Sequence, residues 1–350
     1  MIVRLLTASP TNGPARQWSL LVARLFLCSL SFIAGAGSLA QDVPADDLSG
    51  KPTFVVGAIR PGQDLKIIVY GDMRFTAPSN TTDTNPRVRK WLVDRIAEEK
   101  PDALFVSGDL PFQGGLKKDW EVYRQETAPW IAANLRVYPA LGNHELVPLE
   151  RPGLANYFDQ FSWLGDRRWY SVQIGSVYLI ALDTNSGHPS RSFNDDAPQQ
   201  RWLASQLAHL PPEINFVFFL THMPLINDLQ SEVIADIPQP AEIKLRRYLE
   251  GQAALARAKF IVVSGHVHNY ERFEHGGISY IVSGGGGAKP YPLYLRSSQD
   301  LYRDPANPNF NYVVLEVSGT RAEATMYRVA DPKAGTLTTE VKERFTLTAK

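Results

Sequence analysis

"LKIIVYGDMR", residues 65–74, decides the fold. Its apolar run, broken only by Lys66, reads as a strand covered on both faces. The run stops at Gly71-Asp72, where glycine lets the backbone turn tightly and an acid follows at once. The same grammar recurs downstream. "ALFVS" (103–107) is followed by Gly108-Asp109, and "LRVYPA" (135–140) leads to "GNHE" (142–145). "INFVFFL" (214–220) is followed by Thr221-His222, and "KFIVVS" (259–264) by "GHVH" (265–268). Five buried strands therefore end in Asp, Asn or His. Ligands of open α/β sheets bind at the carboxyl ends of strands, so these groups are expected to face one crevice.

The connecting segments fit that scheme. "NPRVRKWLVDRIAEEK" (85–100) opens with Asn-Pro, repeats apolar residues at helical spacing and stops before "PDA", and "APQQRWLASQLAHL" (197–210) reads likewise. "WYSVQIG" (169–175) and "SVYLIALD" (176–183) read as a hairpin or adjacent pair. Residues 311–329 alternate across Gly319 as a C-terminal β-hairpin. The class is α/β with mixed sheets.

Residues 1–40 are set apart. They contain Arg4, Arg16 and Arg24, no acidic residue, a short apolar core and "SLA" before Gln41, which is the pattern of an export signal cleaved after Ala40. Residues 41–63 read as an N-terminal arm or linker, and 64–350 as one domain. Removing the signal takes away Cys28, the one cysteine, so the exported chain carries no disulfide and its core must supply the stability. It also leaves 33 basic against 36 acidic residues, a balance that argues against a nucleic-acid surface, and no further segment is apolar enough to span a membrane. The expected location is periplasmic or extracellular.

The strand-end residues form a mixed oxygen and nitrogen set without thiolate, suited to Zn, Mn or Fe ions. His266 and His268 lie two apart on an extended segment and leave it on one side. One such pair is a weak signal, whereas five motifs in order are specific. Together they resemble the calcineurin-like metallophosphoesterase superfamily, and "GHVHNYER" (265–272) is similar to its purple acid phosphatase branch, as are "DTN" (183–185), "QQRWLASQL" (199–207) and "VSGGGGAKPY" (282–291). The resemblance runs from about Lys66 to about Glu316. It implies a four-layer α/β/β/α sandwich of two mixed sheets flanked by helices, with one or two metal ions (Fe, Zn or Mn) at one rim. Asp109 would bridge two ions, Asn143, His222 and His266 would complete one, and Asp72 and His268 would hold the other. His144 would contact phosphate and protonate the leaving oxygen.

The chain departs from the family pattern twice. The superfamily often has a ligand histidine two residues after the first aspartate, and here that position is Arg74. The purple branch has a ligand tyrosine three residues after the bridging aspartate, and here that position is Phe112, so no purple colour is expected. A guanidinium has no acceptor lone pair and cannot ligate a metal. Arg74 is expected to contact substrate phosphate beside a weakened first metal, the competing reading being a loop-holding ion pair with Asp72 or another carboxylate. Glu145 is expected to orient its loop. "SGGGGAK" (283–289) lacks the nucleotide-loop spacing and reads as a close-packed loop near the rim.

The resulting expectation is an exported phosphomonoesterase acting on a phosphorylated small-molecule or polymer substrate through a metal-activated hydroxide. A phosphodiesterase for nucleotides or lipid head groups is the alternative within the class. A non-catalytic phosphate-ligand binding protein on a decayed scaffold is the alternative outside it.

Overall fold

Two sheets divide the work of building and presenting the strand ends. The computed structural model describes residues 48–185, 193, 197–230, 237–291, 293–295, 299–302, 304 and 306–350. The export signal read over residues 1–40 lies outside the described residues, as do most of the loop 190–196 and parts of the loop 290–310.

The first half of the chain contains β1 (Phe54–Val55), β2 (Leu65–Tyr70), α1 (Pro86–Glu99), β3 (Ala103–Val106), α2 (Lys117–Glu126), α3 (Ala128–Ala132), β4 (Val137–Pro139) and α4 (Glu150–Gln160). Then follow β5 (Tyr170–Ile174), β6 (Val177–Ala181), α5 (Pro198–Ala208), β7 (Phe216–Leu220), β8 (Leu229–Gln230), α6 (Pro240–Leu255), β9 (Lys259–Ser264), β10 (Tyr270–His275) and β11 (Ile278–Ser283). The tail adds β12 (Leu293–Leu295), β13 (Asn311–Ser318), β14 (Arg321–Val329) and β15 (Thr339–Thr348). One mixed sheet has the order β1-β5-β6-β7-β9-β11-β10, the other β15-β14-β13-β2-β3-β4, and β8 pairs β12 as a short ribbon.

The unbroken apolar runs have a structural cause. In β6, Val177, Leu179 and Ala181 point into the core shared with the second sheet, while Tyr178 and Ile180 pack with Leu203 of α5 and Leu245 and Leu249 of α6. Strands β7 and β9 alternate in the same way. Phe105 of β3 meets Phe218 of β7 edge-on across the shared core, with ring centroids 5.5 Å apart. The outer face of the second sheet packs against α1 to α3 through Val88, Leu92, Trp120 and Trp130. The layers are therefore helices, sheet, sheet, helices.

Helix α1 begins where the sequence signals it. Asn85 Oδ1 accepts the Val88 N–H (3.1 Å), Pro86 takes the first turn, and Lys100 closes the helix at φ 50°.

Two features at the ends of the domain extend what the sequence suggests. The segment read as an arm supplies β1, which pairs in parallel with β5, and Ile59 is buried in the core. The C-terminal hairpin is one part of a three-stranded meander, because β15 pairs antiparallel with β14.

Candidate metal centre

Strands β2, β3 and β4 run parallel in one sheet, and β6, β7, β9 and β11 in the other. Their carboxyl ends deliver Asp72, Asp109 and Asn143 from the first sheet and His222, His266 and His268 from the second. Asp72, Arg74, Asp109 and His266 all sit in the left-handed region, at φ 60°, 50°, 54° and 68°. Each such non-glycine residue costs of order 1–3 kcal/mol and persists only where its surroundings hold it. Here the loops hold one another: Asp72 N–H donates to the Gly108 carbonyl (3.1 Å), Arg74 N–H to the Asp109 carbonyl (2.9 Å) and Ala288 N–H to the Asp72 carbonyl (2.8 Å). Two glycines make the close packing possible. A Cβ on Gly142 would collide with the Asp109 nitrogen and carboxylate, and one on Gly286 with the Gly71 carbonyl. The run 283–289 is thus a packed wall of the site.

The hydrogen bonds at the rear of the imidazoles set what their front faces offer. His222 Nδ1 donates to the Ser107 carbonyl (2.8 Å), which leaves Nε2 with a bare lone pair. That lone pair faces Asn143 Oδ1 at 2.9 Å and Asp109 Oδ1 at 3.3 Å. His266 Nδ1 joins the same knot, 3.1 Å from Asn143 Oδ1 and 3.2 Å from His222 Nε2. His268 repeats the device. Its Nδ1 donates to the Lys289 carbonyl (2.7 Å), and Nε2 is buried without a hydrogen-bond partner, 3.7 Å from Asp72 Oδ1.

Protons do not resolve these opposed acceptors. Burial pushes His222 down to about 4, and burial together with nearby Arg74 holds His268 well below its usual range. A divalent cation would resolve them, and donor atoms of Asp72, Asp109 and His222 all lie within 4.8 Å of one another. The donor set therefore fits a metal ion. Burial opposes the charge on Asp109, yet His222, His144 and Arg74 around it hold its carboxyl well below the usual range, while burial and the Asp109 charge push Asp72 well above it.

Arg74 has a carboxylate partner. Its Nε and Nη2 both donate to Asp109 Oδ2, at 3.3 and 3.2 Å, which is the competing ion-pair reading of this residue. Nη1 has no hydrogen-bond partner among the described residues. His144 Nδ1 bonds the Phe112 carbonyl (2.5 Å), and the two rings lie 5.6 Å apart. Position 112, without a tyrosine oxygen, thus fixes the His144 tautomer through its backbone, leaving Nε2 4.0 Å from Asp109 Oδ2. Asp72, Asp109, His222 and His268 are buried, whereas Arg74, Asn143, His144 and His266 keep partial exposure and form the open edge.

Several supports lie outside the motifs. Buried Arg89 of α1 pairs with Glu126 (2.6 Å) and donates through Nη1 to the Arg74 carbonyl (3.1 Å), pinning the loop that carries Arg74. In sequence Arg89 looks like an ordinary polar-face residue, because Glu126 is far away along the chain. Tyr291 stacks on His268 with centroids 4.4 Å apart, and Asn185 of "DTN" donates to the Leu141 carbonyl (3.1 Å) behind the GNHE turn. Tyr270 and Arg272, which follow the paired histidines, anchor β15 through Glu343 at 2.8 Å each.

Glu145 accepts the backbone N–H groups of Asp109 (3.0 Å), Leu110 (2.7 Å) and Gly142 (2.6 Å). Burial and neighbouring Asp109 nevertheless push its carboxyl up to about 8. Glu145→Ala strands three buried donors, and at ~1–3 kcal/mol each it should cost at least roughly 3 kcal/mol. Urea unfolding of the metal-free protein measures this without a contribution from bound metal. A loss below ~1 kcal/mol would show that the carboxylate does not brace these turns.

The Calcineurin-like phosphoesterase family model matches residues 65–270. Purple acid phosphatase 1 of Ipomoea batatas is 27% identical over 240 residues, covering 61% of this chain and 45% of that protein, so the chain spans about half of that relative. A nucleotide pyrophosphatase/phosphodiesterase of Hordeum vulgare is 24% identical over 261 residues, with 67% and 68% covered. Among solved structures, the purple acid phosphatase PPD1 from Lupinus luteus seeds superposes with a TM-score of 0.65 at 19% identity, over 82% of this chain and 55% of that one. With more than half of its residues matched by the family model and the fold shared with PPD1, this chain belongs to the calcineurin-like phosphoesterase family.

Proposed function

We propose that the chain is an exported, metal-dependent phosphomonoesterase whose centre for one or two metal ions is built from Asp72, Asp109, Asn143, His222, His266 and His268. The observation that carries this reading is the knot of inward lone pairs at Asn143, His222 and Asp109. Bound there, a metal ion would bring the pKa of a water toward neutrality and offset phosphate charge.

The chain's own residues do the rest. The substrate enters at the open edge formed by Arg74, Asn143, His144 and His266. Arg74 offers its Nη1 edge to a phosphate oxygen while its other nitrogens stay on Asp109. His144, with its tautomer set by the Phe112 carbonyl, donates a proton from Nε2 to the departing alkoxide. Asp109 keeps Arg74, His144 and His222 in mutual register.

The similarity to the Hordeum vulgare nucleotide pyrophosphatase/phosphodiesterase supports a second reading, in which a diester is cleaved. Paired assays with p-nitrophenyl phosphate and bis(p-nitrophenyl) phosphate decide between them. We expect kcat/KM at least ~10-fold higher for the monoester, a difference of about 1.4 kcal/mol in transition-state binding. A faster diester assigns the second reading. Hydrolysis of neither after reconstitution with Mn, Zn or Fe leaves a binding protein. Export rests on the signal pattern of residues 1–40, and a mature N-terminus at Gln41 is the expected result of intact-mass analysis. Among the described residues, no helix is long and apolar enough to cross a membrane.

A further inference from the structure

We infer that the Arg74 guanidinium occupies the place of one of the two metal ions, so that the centre takes a single ion on the Asn143, His222 and His266 side of Asp109. This rests on the metallophosphoesterase reading above and specifies the composition of its site.

The two oxygens of Asp109 face different neighbours. Oδ1 lies 3.3 Å from His222 Nε2 and accepts the His144 N–H at 2.9 Å, so it belongs to the lone-pair knot. Oδ2 receives both Nε and Nη2 of Arg74. An ion bridged through Oδ2 would therefore have to displace a guanidinium that is itself mostly enclosed, with 12% of its side chain exposed. The turn that presents Arg74 is also fixed. The Arg74 backbone is in the left-handed region, its N–H is tied to the Asp109 carbonyl and its own carbonyl is tied to Arg89, which is fully buried. The cation is built into the open edge of the site.

Charge points the same way. Asp72 and Asp109 can bring at most two negative charges to this buried site. A guanidinium plus one divalent ion more than offsets them, whereas a second dication beside the fixed cation would be repelled at close range in a poorly solvated place. Asp72, which would serve that second ion, has another engagement. Both Asp72 oxygens accept the His266 N–H at 3.0 Å. His268 keeps Nε2 turned toward Asp72, so what opposes the second ion is the Arg74 cation on Asp109 Oδ2 and not a lack of donor atoms.

The test is metal stoichiometry, which needs no turnover. Chelator-stripped full-length protein is titrated with Mn²⁺ or Zn²⁺, the bound metal is counted by ICP-MS after gel filtration, and the Mn²⁺ form is examined by EPR. The parent chain should retain one ion and give the signal of isolated Mn²⁺. Arg74→His, which exchanges the cation for a neutral ligand, should retain two ions with an exchange-coupled spectrum. Its affinity for the second ion should exceed that of the parent by at least ~100-fold. Arg74→Lys keeps the charge and should stay at one ion. If Arg74→His fails to fold, Arg74→Gln serves, since it removes the charge at similar length and should admit a second, weaker ion.

Two ions in the parent chain would overturn the inference while leaving the phosphoesterase reading intact. So would one ion in both neutral variants. No retained ion in any form would overturn the inference and the metal-dependent reading together.

Discussion

Asp109→Asn should abolish turnover, lowering kcat/KM by at least ~10³-fold, or about 4 kcal/mol of transition-state stabilisation. The change is isosteric, so the effect does not come from lost volume. It comes from placing two amide protons where only acceptors are tolerated. Oδ1 accepts the His144 N–H and Oδ2 accepts the Arg74 fork, so either amide orientation sets a donor against a donor. It also leaves the Arg74 guanidinium without its buried counter-charge, a loss of the class that costs ~3–5 kcal/mol when one partner of an enclosed pair is removed. Metal retention should fall with activity, because the carboxylate charge that attracts the ion is gone. The measurement is kcat/KM against p-nitrophenyl phosphate alongside bound metal by ICP-MS. A variant that keeps its metal and loses less than about tenfold in rate would show that Asp109 is a structural strand-end acid.

The centre was legible in sequence to the extent that local chain chemistry governs it. A run such as Phe216–Leu220 is apolar throughout because alternate side chains face two different cores, so its length and its end are visible without a structure. Each end then falls on a glycine or small residue followed by Asp, Asn or His. What stayed hidden is non-local. Strand β1 is two residues long and exists by pairing with β5, so it has no periodicity of its own to read. Strand β15 alternates weakly among charged residues because it is an exposed edge. Helix α6 could have been found. Gln239 and Pro240 open it, and Glu242 returns to accept the Gln239 N–H at 2.8 Å.

Arg74 marks the limit of such a reading. Sequence establishes that a cation replaces the usual ligand, but its partner is 35 residues away, on the next strand's turn. Whether the fork faces phosphate or carboxylate depends on the left-handed turn at Arg74 and on Arg89 beneath it. Neither is encoded by neighbouring residues.

His144→Gln should separate substrates by leaving group, which a purely structural histidine would not do. Nε2 stands 4.0 Å from Asp109 Oδ2 on the open edge, and Nδ1 is occupied by the Phe112 carbonyl, so the ring can pass a proton only through Nε2. Alkyl phosphates need that proton because an alkoxide is a poor leaving group, whereas p-nitrophenolate departs without it. The expected loss in kcat is ~10²–10⁴-fold for an alkyl phosphate and much smaller for p-nitrophenyl phosphate. The sign of the pH dependence follows from the same ring. Burial, together with the charge of Arg74, outweighs the pull of Asp109 and holds His144 below its usual 6.5. The proton-carrying form is thus present below that depressed pKa and vanishes as pH rises through it. In the parent enzyme kcat for alkyl phosphates should be highest on the acid side and decline toward neutrality. In His144→Gln that limb should disappear while the p-nitrophenyl profile changes little. Equal losses for both substrates with an unaltered pH profile would assign His144 to holding the turn, since loop damage has no reason to discriminate between leaving groups.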